Sequence, residues 1–319
     1  MRIELARKNV SVRWSESPNL SAIHAAYVVA AGNVCTDGKT QNALVGSATD
    51  VNNRLLSAGV DVAAFWESLF AQSLLIDDDK RSINIALVSA GCGEMQLEQI
   101  ASGISNSLAE CRLAYRTRFP KLAEQLKLRI QPLHDQWDKF GDDLLLEVAS
   151  QIWGDRSPAD WWPSRPELIA VQPCCGGDGG FDADASTVWI EATLTDVDPA
   201  VPELLRMVWL MTRIATKLHT REKSSTGGSR LPWALGSIPI VLKAGQALEL
   251  LPQGNLPIQQ ACRLWRAGDQ SLATILERWW REYQESDSAL PVALKALDQM
   301  LAPQRTNAKT LDLSEYDPE

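Results

Sequence analysis

The chain has 319 residues, of which 45 % are hydrophobic and 22 % charged, a balance that suits a packed core and excludes bulk disorder. Its formal net charge is −9. No nucleic-acid partner and no membrane partner are therefore expected, since both surfaces are anionic and call for cationic side chains. The first eight residues lack an apolar run of signal-peptide length, and the run at Ala25–Ala31 is too short to span a bilayer, so a cytoplasmic protein is expected. Its six cysteines, which form no C-x-x-C pair, are then expected as free thiols.

Ile3–Leu5 and Val10–Trp14 alternate weakly and suggest a hairpin. Ser17-Pro18 reads as a helix start, with proline at the first helical position. Leu20, Ile23, Tyr27, Val28 and Ala31 follow at helical spacing, and Gly32 suits the C-terminal cap. A loop is expected from Asn33 to about Gly46, then a helix over Val60–Ile76 on an apolar stripe. Ile83–Val88 reads as a strand and Glu94–Arg118 as a helix. Arg112, Arg116, Arg118, Lys121, Lys127 and Arg129 form a basic run, read as a solvated face. Helical pattern continues over Pro120–Trp153, broken near Pro132 and Gly141.

A Pro- and Trp-containing linker, Gly154–Glu167, precedes two short strands, Leu168–Gln172 and Thr187–Ala192. A long helix is expected over Pro199–Leu218, a flexible polar segment around Ser224–Gly228, and three or four helices over Ile238–Met300. The fold class is α+β, helix-rich with a small mixed sheet. The organisation is a mostly helical region 1–153 with one or two strands, an α+β region and helical bundle 154–301, and a mobile acidic tail 302–319, with 154–167 dividing two domains or bending within one.

Four patterns carry candidate chemistry. Gly32, Gly38, Lys39 and Thr40 form a loop like that of dethiobiotin-synthetase-type P-loop proteins, which is one residue longer than the standard spacing. The resemblance implies backbone amides around phosphates, Lys39 for charge and Thr40 for magnesium. It requires a strand at Tyr27–Ala31, which reads as helix, and an acidic strand that Leu74-Leu75-Ile76-Asp77 imitates within a helical stripe. Cys92, between an expected strand and an expected helix, is a candidate thiol nucleophile. Its base would have to be one of three histidines, His24, His134 or His219, none of them near it in sequence. Asp178, Asp182 and Asp184 lie in a glycine-rich loop beside Cys174-Cys175 and could offer oxygen ligands, but Thr187 and Thr193 stand where an EF-hand needs Gly and Glu. Finally there are 12 tryptophans. Trp66, Trp209 and Trp265 sit in apolar stripes, whereas Trp161 and Trp162 in the linker suit exposed partner anchors.

Residues 167–218 also resemble, in layout, the core of zincin-type metalloproteases: strand, glycine loop, strand Thr187-Val188-Trp189-Ile190-Glu191, then a long helix. The family's H-E-x-x-H motif is missing, and Arg206-Met207-Val208-Trp209-Leu210 at the corresponding turn offers no ligand. The resemblance implies a metal-free relative. Glu203 and Arg206, three apart, are expected to pair on one helical face. The leading expectation is a non-catalytic protein-binding or scaffold protein that takes another protein as partner through Trp161 and Trp162 and needs no cofactor. The alternatives are nucleotide binding at residues 32–40 and thiol catalysis at Cys92.

Overall fold

The computed structural model describes residues 10–76, 78–223 and 231–314, without the side chains of residue 155, residues 221–223 and residues 304–314. The expected strand at Ile3–Leu5, the polar segment at Ser224–Gly228, Asp77 and the last five residues lie outside the described residues. The fold is helix-rich α+β with a four-stranded mixed sheet. It divides into two compact units that are interleaved along the chain rather than consecutive. One comprises Ser11–His134 with Arg165–Thr195; the other contains Asp135–Ser164 and the chain from Asp196 onward.

The first unit holds the sheet. Strands β1 (Arg13–Glu16), β2 (Glu167–Val171), β3 (Gly179–Asp182) and β4 (Thr187–Glu191) lie in the order β1-β2-β4-β3. β1 and β4 run parallel to β2, and β3 is antiparallel to β4. Among the described residues β1 pairs with β2 alone, and the other arm of the expected hairpin lies outside them. The partner of β1 lies some 150 residues on, with Trp14 opposite Leu168, and local alternation carries no sign of so distant a pairing. The Glu167 carboxylate accepts from Ser15 Oγ at 2.9 Å and pairs with Arg13. Between β1 and β2 run six helices, the sixth of which belongs to this unit only as far as His134: α1 (Pro18–Ala30), α2 (Gly38–Ser57), α3 (Val62–Leu75), α4 (Asp79–Ser89), α5 (Glu94–Arg118) and α6 (Leu122–Trp153).

Side-chain caps explain the starts of α1 to α4, because each satisfies an otherwise orphaned N–H. Ser17, Asp37, Asp61 and Asp78 accept backbone bonds from Leu20, Lys39, Ala64 and Arg81. The loop expected over Asn33–Gly46 is instead helix α2 from Gly38, held by the Asp37 cap and by a buried stripe of Leu44, Ala48, Val51 and Leu55. The strand expected at Ile83–Val88 is helix α4, which buries Ile83, Ala86 and Leu87 at helical spacing. α6 runs unbroken past Pro132 and Gly141. Leu128, whose carbonyl loses its amide partner to Pro132, faces solvent, where that carbonyl can be hydrated. Helix α1 is the centre of the unit and is buried over Leu20–Ala26 and Val28. Three members of the basic run, Arg112, Arg118 and Lys127, pair with Asp79, Asp37 and Glu16.

The second unit is helical. It contains the later part of α6, then α7 (Glu203–Lys223), α8 (Trp233–Ala247), α9 (Ile258–Leu264), α10 (Gln270–Gln284) and α11 (Leu290–Ser314). Residues 302–314, expected in a mobile tail, continue α11, whose inner face buries Leu294, Leu297 and Leu301. Tryptophans form much of this core, and two of them place their N–H groups on backbone carbonyls. Trp209 stacks on Trp265 at 5.1 Å and donates to the Ala234 carbonyl, while Trp279 donates to the carbonyl of Ala293. Glu203 and Arg206 pair within α7 as their spacing indicates, 3.1 Å apart and buried. The glutamate lies in the first turn, where negative charge is favoured.

Candidate functional site

The loop from Gln172 to Asp178 leaves β2, passes the end of β4 and enters β3. Gly176 and Gly177 take φ of +78° and +110°, a region that residues with a Cβ rarely adopt. This winding turns a row of backbone amides inward onto Glu191, the last residue of β4. Glu191 Oε1 accepts from Cys174 N at 2.7 Å and Cys175 N at 2.8 Å, and Oε2 accepts from Gly177 N at 2.6 Å. The fourth donor is His24 Nε2 on α1, 2.9 Å from Oε1. Both side chains are buried, at 1 % residue exposure each.

A carboxylate in such a place must be heavily hydrogen-bonded. Burial pushes the Glu191 pKa up, but the hydrogen bond and charge of His24 and the loop amides outweigh it and hold the pKa below the usual carboxylate range. His24 shows the converse. Burial opposes its charge, yet contact with Cys175, the hydrogen bond and charge of Glu191, and the charge of Asp178 raise its pKa to about 9. Trp189 and Phe70 pack around the imidazole at 4.9 and 6.0 Å between ring centroids. The other ring nitrogen, Nδ1, is buried without a hydrogen bond of ordinary length.

Cys175 completes the cluster. Its sulfur, a nitrogen of His24 and a carboxylate oxygen of Glu191 all lie within 4.8 Å of one another. The residue is half-buried, whereas His24 and Glu191 are buried. Hydrogen bonds from Cys174 and then His24 lower its pKa to about 6 against the opposing effects of burial and Glu191. The neighbouring Cys174 is pushed far the other way, by its bond to Cys175, by burial and by Cys35. Cys35, in the loop between α1 and α2, is buried, with its sulfur 3.3 Å from that of Cys174. The two loops are tied together where the Cys174 carbonyl accepts from Thr36 N at 2.8 Å and Thr36 Oγ1 at 3.0 Å.

The sequence-derived candidates fall elsewhere. Cys92 lies between two helices, not after a strand, and burial raises its pKa; His24 stands beside Cys175 instead. Tyr27–Ala30 is helix, so the glycine loop has no strand before it. Thr40 Oγ1 donates to Asp37 Oδ2 at 2.7 Å within the α2 cap, Lys39 is exposed, and Gly32 closes α1 at a φ of +70°. Asp178 and Asp182 accept from the amides of Gly179 and Ala185 as turn residues, and Asp184 is exposed. Among the described residues the single cluster of three groups able to hold a metal is His24, Cys175 and Glu191, not these aspartates. Trp161, expected as an exposed anchor, is only 4 % exposed and packs on Trp153 and His219; its large ring is covered because the linker folds back onto its own unit. Trp162 is half-buried against it.

No known protein family matches this chain, and neither a curated protein nor a solved structure is significantly similar to it.

Proposed function

We propose that this protein carries out thiol–disulfide exchange, with Cys175 as the attacking thiolate. The observation that supports this reading is the sulfur of half-buried Cys175 beside a buried His24–Glu191 pair. A thiolate is the reactive form of cysteine, and a neighbouring imidazolium favours it at neutral pH. Glu191 acts as a positioning residue that fixes the ring and favours its charged form.

Acyl transfer is a poorer fit. It needs free N–H donors for an oxyanion, and the amides of Cys174, Cys175 and Gly177 are already directed at Glu191. Two further thiols next to the attacking one suit exchange. In this scheme the Cys175 thiolate attacks a disulfide of the substrate, breaking its S–S bond, and His24 gives its proton to the first thiolate released. With the Cys175 thiolate consumed in the mixed disulfide, the contact that most raised the Cys174 pKa is gone; Cys174 then attacks the Cys175 sulfur as a thiolate, expelling the second substrate thiolate, which takes up the Cys174 proton. Cys35 then attacks Cys174, frees the Cys175 thiolate and returns a proton to His24. The sum is one substrate disulfide reduced to two thiols and one Cys35–Cys174 disulfide formed.

Alkylation with iodoacetamide, followed by peptide mass spectrometry, tests the first step. Cys175 is expected to label first, with a rate midpoint well below that of an ordinary thiol, and its alkylation to protect the protein from oxidation by hydroxyethyl disulfide. Labelling of Cys92 at an equal or greater rate, or a Cys175 midpoint near that of an ordinary thiol, would overturn the reading. Of the two anchors of the scaffold alternative, Trp161 is buried and Trp162 half-buried.

A further inference from the structure

A cavity of about 250 Å³ within the first unit is lined by Cys35 and Cys174 but not by Cys175, His24 or Glu191. Its wall includes Cys35, Cys174, Gln172, Tyr115, Asp37 and Arg129. Three features of the wall bear on what could occupy it. Gln172 is 8 % exposed, and its buried Oε1 has no hydrogen-bond partner, so an acceptor faces a space where nothing donates to it. Arg129 is half-buried and makes no ion pair among the described residues. Asp37, the one carboxylate of the wall, is already neutralised by Arg118 at 2.7 Å and accepts from Thr40 and Lys39. The balance left for an occupant is one positive charge, one lone acceptor and two sulfurs.

We propose that this cavity receives the reductant of the site: a small thiol that carries both a carboxylate, for Arg129, and an amide or amine N–H, for the Gln172 oxygen. The inference rests on the thiol–disulfide reading, and it names the molecule that returns the site to its reduced state. A guanidinium binds a carboxylate through paired N–H donors. A buried amide oxygen without a donor discriminates strongly in favour of a ligand that supplies one. The volume is below the roughly 300–1,000 Å³ of pockets for drug-sized ligands, so the occupant is a single small unit rather than a nucleotide or a peptide. Chemically, the thiolate of one such molecule attacks the Cys35–Cys174 disulfide, breaks its S–S bond and forms a mixed disulfide. A second molecule attacks that bond and leaves as the symmetrical disulfide. Two small thiols are oxidised, and two protein thiols are restored.

The test uses the full chain, oxidised to the Cys35–Cys174 disulfide with hydroxyethyl disulfide and freed of reagent. Its reduction is followed with three thiols at equal thiolate concentration: N-acetylcysteine, N-acetylcysteamine (no carboxylate) and 3-mercaptopropionate (no N–H). N-acetylcysteine is expected to react at least tenfold faster than either. Arg129→Gln should remove its advantage over N-acetylcysteamine, and Gln172→Leu its advantage over 3-mercaptopropionate. Arg129 is half-buried, so its variant remains informative even if Gln172→Leu fails to fold. Binding of N-acetylserine, which lacks sulfur, is measured in parallel on the reduced protein. Equal reduction by all three thiols overturns the inference while leaving the thiol reading intact. If no Cys35–Cys174 disulfide forms, the thiol reading itself fails and the reductant role fails with it, even where N-acetylserine binds through Arg129 and Gln172.

Discussion

Replacing Glu191 by glutamine keeps the side-chain shape and removes the charge, and the consequence can be worked from its four donors. Oε1 receives Cys174 N, Cys175 N and His24 Nε2, and Oε2 receives Gly177 N, all between 2.6 and 2.9 Å. A glutamine oxygen can serve only one side. Turned toward the larger group, it leaves its NH₂ facing the Gly177 N–H, two donors with no acceptor, at about 1–3 kcal/mol for the buried amide. The bonds that remain lose their charge assistance, roughly half their strength. His24 loses the charge that favours its protonated form, and breaking a buried pair costs about 3–5 kcal/mol because one charge is stranded. His24 can shed its proton and so avoid part of this, which sets the expected loss at about 3–5 kcal/mol overall. Urea unfolding followed by tryptophan fluorescence reads it as a lower midpoint at unchanged slope. The alkylation midpoint of Cys175 should rise at the same time, because the bond and charge of His24 that favour the thiolate together exceed the opposing Glu191 charge that is also lost. A loss below about 1 kcal/mol with an unmoved midpoint would refute the claim that this carboxylate organises both the loop and the thiol.

Three other outcomes follow from the same geometry. His24, raised from 6.5 to about 9, contributes stability that is full below pH 6.5 and is lost as pH rises through 9. Cys175, lowered from 9.0 to about 6, contributes stability that is full above pH 9 and is lost as pH falls through 6. Between those limits the folded pair holds one proton, as the unfolded pair does, so the two slopes cancel. Cys175→Ser removes the cancellation but also the contact that contributes most to raising the His24 pKa, so its stability relative to wild type should fall with rising pH from 6.5 over a window that closes below 9, by up to about 1.4 kcal/mol per unit; parallel urea-derived curves would count against the pair. Gly180→Ala places a methyl group 2.6 Å from Trp189 Nε1, and Trp189 packs on His24, so a loss of about 1–3 kcal/mol from overpacking and slower Cys175 alkylation are expected together. Trp161→Ala, by emptying a buried position, should cost about 3–5 kcal/mol by thermal or urea unfolding, whereas an exposed anchor would cost little.

What the sequence made legible was whatever is written locally. The Ser17-Pro18 start of α1, the apolar stripe of α3 and the Glu203–Arg206 pair of α7 all follow from caps and 3.6-residue spacing. The parallel pairing of β1 with β2 and the gathering of Cys35, His24, Cys175 and Glu191 depend on contacts across well over a hundred residues, which no periodicity encodes. Segments of few residues are ambiguous where two periods overlap. Ile83–Val88 satisfies a strand pattern, but the Asp78 cap and the spacing of Ile83, Ala86 and Leu87 decide for helix. Two signals for the site were nonetheless present. His24 interrupts the otherwise small and apolar run Ser21–Ala26, and Glu191 ends a strand of apolar and β-branched residues. A charged or titratable group in such surroundings must find a partner when it is buried, and here each is the other's.

That mutual satisfaction also bears on whether the cluster is better suited to a metal than to a thiolate. Zinc takes four ligands and binds nitrogen, sulfur and oxygen lone pairs, and His24, Cys175 and Glu191 supply three groups. Oε1 of Glu191 already receives three donors, and Nε2 of His24 is spent on that same oxygen. A cation entering between them would have to displace His24 from Glu191 or strip amides from the loop, giving up charge-assisted bonds in a buried place. Protonation of His24 asks for none of this, since the proton lies on the existing hydrogen bond and the thiolate gains a counter-charge without rearrangement. Zinc in slight excess should therefore leave both the melting temperature and the Cys175 labelling rate nearly unchanged. A stoichiometric complex that raises the first and suppresses the second would mean that the Cys174–Gly177 loop has another arrangement, in which Glu191 is released to coordinate.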